Sequence, residues 1–202
     1  FRILLKKVMI KDKSAGENND NKSWNRLLNE EEEALFKGLI SQLPVLDDVT
    51  LKRHLPFHLE FELYGFCDAS NNGLAAVFFL RTYDPNSNAR LVSFVLGKSK
   101  VRPMNTDSDA PDSIPRLELM SCCILAELFL TIQEAYQLPT VKYTCFTDSS
   151  TVFHWMKAKT GTLNPFQHNR ISHIQSSGIK SLHYVRSAEN PADLGAKGCP
   201  AK

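Results

Sequence analysis

Residues 59–101 read LEFELYGFCDASNNGLAAVFFLRTYDPNSNARLVSFVLGKSKV. Three runs rich in aromatic and branched aliphatic residues (59–70, 74–83 and 89–101) are parted by NNG at 71–73 and DPNSN at 84–88. Each run has strand length and each break has turn chemistry. The stretch therefore predicts three strands, the first two joined as a hairpin. The first run closes on Asp68, a carboxylate at the end of an apolar strand.

Downstream the texture alternates between helix and strand. A polar loop (102–113) leads into IPRLELMSCCILAELFLTIQEAYQ (114–137), a long helix with Pro115 near its first turn. It is apolar nearly all round, which predicts burial. TVKYTCFTD (140–148) reads as a fourth strand, again ending on an acid, and SSTVFHWMKA (149–158) starts a short helix. A further helix spans 164–178, a fifth strand 181–187, and AENPADLGAKG (188–198) begins a last element. The order β-β-β-α-β-α-α-β-α predicts an α/β fold: a five-stranded mixed sheet, three strands antiparallel and two parallel through right-handed crossovers, flanked by helices.

Residues 1–58 differ. FRILLKKVMI opens without an initiator Met, as a piece of a longer chain would. KDKSAGENNDNKS (11–23) has almost no apolar residue and is expected to be a loop, partly disordered. NEEEEALFKGLISQLPVL (29–46) has helical apolar spacing and an acidic first turn, with Pro44 as its stop. We read 1–58 as a connector with one amphipathic helix, and 59–202 as the folded domain.

The whole-chain numbers narrow the chemistry. With 24 basic and 22 acidic residues the net charge is +2, so a surface for a polyanion must be local. Five cysteines, with no C-x-x-C pair, suggest neither a disulfide framework nor a zinc site. Cys67, Cys122, Cys123 and Cys145 sit in apolar runs and read as buried thiols of a reducing compartment. No signal peptide and no apolar segment of spanning length is present, and the N-x-S sequon at Asn21 carries little without one.

Four carboxylates stand out by position: Asp68 at the end of the first strand, Glu118 in the first turn of the long helix, Asp148 at the end of the fourth strand, and Asp193 after the fifth. If strands one and four are neighbours, Asp68 and Asp148 stand side by side. Acids so close repel and raise each other's pKa, so a cation belongs among them. Hard oxygen donors without His or Cys suit Mg²⁺ or Mn²⁺, and a pair of such ions serves phosphodiester cleavage. Singly, each acid has a plainer reading: Asp148 before SS is as much a helix start as a catalyst.

In this order, FCDAS (66–70), IPRLELM (114–120), FTDSSTVFHWMK (146–157) and ENPADLGAKG (189–198) resemble the ribonuclease H domain of BEL/Pao-type LTR retrotransposon polyproteins. The resemblance covers about 59–199. It continues through 24–58, which resembles the segment joining reverse transcriptase to ribonuclease H in those polyproteins. It implies the ribonuclease H-like fold and two divalent ions, Mg²⁺ or Mn²⁺, on Asp68, Glu118, Asp148 and Asp193. It also implies cleavage of the RNA strand of an RNA–DNA hybrid and a reverse transcriptase domain of the same polyprotein as partner. The setting it implies is a cytoplasmic retrotransposon particle, or the nucleus. Two departures stand out. VRSAENPAD lacks the His that many ribonucleases H carry ahead of the last Asp, and NPAD is one residue tighter than the N-x-x-A-D of other retroelements.

A hybrid is read through backbone and 2′-OH. Candidate contacts are Ser70 and Asn71 after Asp68; Lys98, Lys100 and Arg102 at the end of the third strand; Arg116 before Glu118; Ser149 and Ser150 after Asp148; and Arg170 on a later helix. Each also reads as a cap or a solvated charge. Trp155 reads as core, and His154, His168, His173 and His183 as structural or surface residues. Three rival readings exist. An aspartic peptidase needs an Asp-Thr/Ser-Gly triplet, which is absent. An integrase-like enzyme needs a helical Glu about 35 residues past the second Asp, and no Glu lies between Asp148 and Glu189. A non-catalytic binding domain keeps the fold without the chemistry.

Overall fold

The computed structural model of the chain describes residues 27–50, 54–57, 60–85, 89–102, 113–138 and 142–198. The polar loop 11–23, the sequon at Asn21, most of the loop 102–113 and Cys199 lie outside the described residues. The chain divides into two units, Phe1–Thr50 with Gly198–Lys202, and Leu51–Lys197.

The first unit carries helix α1 (Glu30–Ile40). Asn29 accepts from the Glu32 amide while the Glu32 carboxylate accepts from the Asn29 amide, a reciprocal capping box that satisfies two amides the helix cannot. Four glutamates crowd its positive end and Lys37 sits in its last turn, paired with Glu33 at 2.6 Å. The helix stops ahead of Pro44, which instead opens a 3₁₀ segment, Leu43–Asp48.

The second unit is built on one sheet. β1 (Glu60–Ala69), β2 (Gly73–Asp84) and β3 (Ala89–Val101) form an antiparallel meander. β4 (Tyr143–Thr147) joins β1 in parallel, and β5 (His183–Tyr184) joins β4 in parallel, giving the order β3-β2-β1-β4-β5. The β1–β2 turn is held by Ser70, whose hydroxyl accepts the Asn72 and Gly73 amides. Gly73 is required there because a Cβ would stand 2.7 Å from the Lys100 carbonyl oxygen. β5 has two residues where the sequence reading predicts a strand over 181–187. Pairing on one side only supports it, and after the Val185 amide bonds the Thr147 carbonyl the chain leaves the sheet.

α2 (Ile114–Tyr136) lies across β1 and β2. Its buried positions, among them Leu117, Cys122, Leu125, Phe129 and Ile132, meet Leu63, Cys67, Phe78 and Leu80 from the strands. At period 2, β1 sends Leu63 and Cys67 into this core, and Asp68 follows on the opposite face. α3 (Ser150–Lys157) and α4 (Pro165–Ser176) pack beside α2, and α5 (Ala192–Lys197) lies against β2 and β1. Cys67, Cys122 and Cys145 are buried free thiols; Cys67 and Cys122 touch at 3.3 Å between sulfurs. Trp155 packs half-buried against the core. Among the described residues no helix is long and apolar enough to cross a membrane.

Candidate active site

Strand register brings the first two acids together. Cys67 of β1 pairs with Thr147 of β4, and the strands are parallel, so the next residue on each is an aspartate, Asp68 and Asp148. Asp68 is only 6% exposed. Its carboxyl is pushed up to about 7: burial contributes most, the charge of Asp148 next, and the charge of Asp193 and a shared hydrogen bond with Asp148 add to it, against the Ala69 amide. Asp148 Oδ1 is buried and has no hydrogen-bond partner. A buried carboxylate oxygen without a donor is costly, and a cation is one remedy.

Glu118 enters from the second turn of α2, one residue past the first turn where the sequence placed it, half-buried among Leu117 and Leu119. Burial raises its pKa, a hydrogen bond from Ser149 opposes that rise, and the charge of Asp148 adds to it. The Ser149 hydroxyl donates to Glu118 Oε2 and accepts the Val152 amide, so one group caps α3 and holds the glutamate.

Asp193 is carried by α5 and is fixed by a residue the motif reading passed over. Asn190, 4% exposed, donates from Nδ2 to the Cys67 carbonyl at 3.0 Å and accepts the Ala192 amide on Oδ1 at 3.1 Å. It thus ties the loop ahead of Asp193 to the residue before Asp68, even at the tighter NPAD spacing. The other end of α5 is held by the β1–β2 turn, where Ser70 Oγ donates to the Ala196 carbonyl and Asn72 Nδ2 to the Lys197 carbonyl. Gly195 lets α5 lie close, since a Cβ there would stand 2.8 Å from that of Ala75. Lys197, one turn beyond Asp193, pairs with it at 2.8 Å. Asp193 raises the Lys197 pKa, helped by the charges of Asp68 and Asp148, so this ammonium sits within the field of three acids. The signal in sequence was the Asp193–Lys197 spacing of four on a helix.

Glu118 is engaged by Ser149 and Asp193 by Lys197, and among the described residues no three carboxylate, imidazole or thiol groups are gathered to hold a cation. The donor set is nevertheless that of a hard divalent ion, oxygen throughout, and it includes the buried, unpartnered Asp148 Oδ1. These residues fit such an ion. Neither of two grooves in the sheet region, of about 340 and 380 Å³, has any of the four acids on its wall.

The other candidates fall into two groups. Near the β1–β2 turn, Ser70 bonds α5 and Asn71 accepts from Arg102 at 3.2 Å. Along α2, Lys98 and Lys100 of β3 lie 3.1 and 3.9 Å from Glu127. Arg170 of α4 and Lys100 both act on the Cys123 thiol, which burial pushes up to about 11, so they face the same side of α2. Arg116 and Arg170 share one ring, 4.1 and 3.5 Å from the centroid of Phe166. Ser150 opens α3, exposed. His183 is exposed on β5 beside Phe146, and His154 is exposed on α3.

The family model of the Pao retrotransposon-like RNaseH-like domain matches residues 3–149. That match reaches further upstream than the motifs do and stops before Asp193. No curated protein matches the chain. Among solved structures, the N-terminal RNase H domain of a Mycobacterium tuberculosis protein is 12% identical, over 68% of this chain and 92% of that one, with a TM-score of 0.43. RNase H1 from the halophilic archaeon Halobacterium salinarum is 14% identical over 68% and 94%, with a TM-score of 0.39. Likenesses at this level add nothing to the strand order itself. The motifs, the sheet order and the family match agree: the chain belongs to the Pao retrotransposon-like RNaseH-like domain family.

Proposed function

We propose that this domain hydrolyses the RNA strand of RNA–DNA hybrids with divalent cations, Mg²⁺ or Mn²⁺, during retrotransposon reverse transcription. The observation that carries the reading is the Asp68–Asp148 pair: two acids on adjacent parallel strands, one buried, the other with a buried oxygen that nothing satisfies. Asp68 and Asp148 would hold the ions, with Glu118, still bonded to Ser149 through one oxygen, and Asp193, turning from Lys197, completing the set. Ions bound there supply an activated water and charge stabilisation for the leaving oxygen.

The chain's own residues do the rest. Lys98, Lys100 and Arg170 offer positive charge on one side of α2, suited to the phosphates of a duplex read by shape and sugar. Arg116, stacked on Phe166 two residues ahead of Glu118, extends that charge toward the acids. Asn190 and the β1–β2 turn hold α5, and with it Asp193, against the sheet. A reverse transcriptase domain of the same polyprotein is the partner this reading implies, and a cytoplasmic retrotransposon particle its setting.

The test is cleavage of an RNA strand labelled at its 5′ end, annealed to DNA, in Mg²⁺, in Mn²⁺ and in EDTA. Internal RNA products in either metal and none in EDTA are expected, with Asp68→Asn and Asp148→Asn inactive. Hybrid binding without cleavage in any metal would instead mark a binding domain. Cleavage that survives either substitution would end the metal reading.

A further inference from the structure

One hydroxyl joins the second and third acids of the site. Ser149 is 4% exposed and follows Asp148 directly. Its Oγ accepts the Val152 amide at 3.2 Å, which starts α3, and donates its proton to Glu118 Oε2. Its amide donates to Thr147 Oγ1 at 3.2 Å, which locks the backbone at the strand end. The backbone is therefore held by β4 and the hydroxyl oxygen by the start of α3, while the hydroxyl proton goes to Glu118 of α2.

Glu118 needs such a partner. It stands near the start of a helix, with rotatable bonds on the path to its carboxylate, and the charge of Asp148 pushes against it. Left alone, the carboxylate would swing away from Asp148, and a cation would have to order it on arrival. A carboxylate already fixed by a rigid donor binds a metal without that ordering loss.

We infer that Ser149 is a positioning residue for the cation site, fixing Glu118 beside Asp148, rather than a contact to the phosphate backbone. The inference rests on the metal-dependent reading above. Ser150, the exposed neighbour, is left as the hydroxyl that a substrate meets.

Substitutions separate the two jobs of the hydroxyl. Glycine at an N-cap keeps most of the helix start and removes the proton donor. Threonine keeps both. The experiment compares Mn²⁺ binding to the wild type, Ser149→Gly and Ser149→Thr by electron paramagnetic resonance and calorimetry, with Asp148→Asn as the blank and circular dichroism to check folding. Loss of a hydrogen-bond partner to a ligand typically costs 10–100-fold in metal affinity, so Ser149→Gly is expected to bind Mn²⁺ about tenfold more weakly. Ser149→Thr should stay close to wild type, and both should keep native helix content. Wild-type affinity in Ser149→Gly overturns the inference, as does equal weakening in Ser149→Thr. A wild type that binds no more Mn²⁺ than Asp148→Asn overturns the metal reading as well, which sets that failure apart.

Discussion

Asp68 and Asp148 each stand one residue beyond a paired position, Cys67 with Thr147, on neighbouring parallel strands. The backbone register, and not side-chain choice, puts these two acids together. Their repulsion is relieved where one of them takes up a proton.

That repulsion fixes a pH dependence. The Asp68 carboxyl lies at about 7 in the folded protein against 3.8 ordinarily. The folded state therefore holds this proton more tightly than the unfolded state. Its contribution to stability is full below about pH 4 and lost as pH rises toward 7. In EDTA, the wild type should lose on the order of 2–3 kcal/mol of stability between pH 5 and pH 8, taking about 1.4 kcal/mol per pH unit. Asp68→Asn should lose much less, and at pH 8 should be the more stable protein while having no nuclease activity. Denaturant melts at the two pH values check this; parallel curves for the two proteins would remove the electrostatic account.

Asn190 makes both of its bonds in a buried position. Asn190→Ala orphans the Cys67 carbonyl and the Ala192 amide, at a cost of about 1–3 kcal/mol. Hydrogen exchange should rise at 190–197 before it rises in β1 or α2. Mass-resolved exchange reads this directly, and unchanged protection there would contradict the tie.

The Gly195–Ala75 contact predicts a swap. Gly195→Ala alone forces α5 from β2 and should cost about 1–3 kcal/mol. Adding Ala75→Gly returns the space, so the double variant should recover part of that loss, with a coupling of about 0.5–3 kcal/mol in thermal melts. Strict additivity of the two single effects would mean that the elements do not touch there.

Arg170 sits over Phe166 and toward Lys100. If it faces the duplex, Arg170→Ala should raise KM with kcat unchanged and reduce the slope of log affinity against log salt by about 1. Phe166→Ala, which removes the ring that both arginines rest on, should weaken hybrid binding without changing that slope. A loss of kcat in either variant would move the pair from substrate binding to the chemistry.

The meander was legible because local rules set it. Turn residues at 70–73 and 84–88 and apolar runs between them mark the three strands, and β3 begins and ends where the run does. Asp68 and Asp148 were legible for the same reason, as acids where apolar strands stop. What the sequence left dark are bonds between distant residues. Ser149 reaches Glu118 across 31 positions and Asn190 reaches Cys67 across 123, and no periodicity encodes either. Ser70 read as a sugar contact or a cap, and nothing in the run showed that its hydroxyl holds the Ala196 carbonyl, 126 residues away. β5 is shorter than the run 181–187 because an edge strand lasts only as far as its one neighbour, β4, pairs with it.

The turn after β1 grips α5 at its far end. The first strand of the sheet and the last helix of the fold thus close a ring through almost the whole domain, and that ring is the slowest contact for a chain to make. As the polypeptide leaves the ribosome, Asp68, Glu118 and Asp148 are all made before the helix that brings Asp193 to them. The nascent domain stays incomplete at its acids until residues 190–197 have emerged and docked.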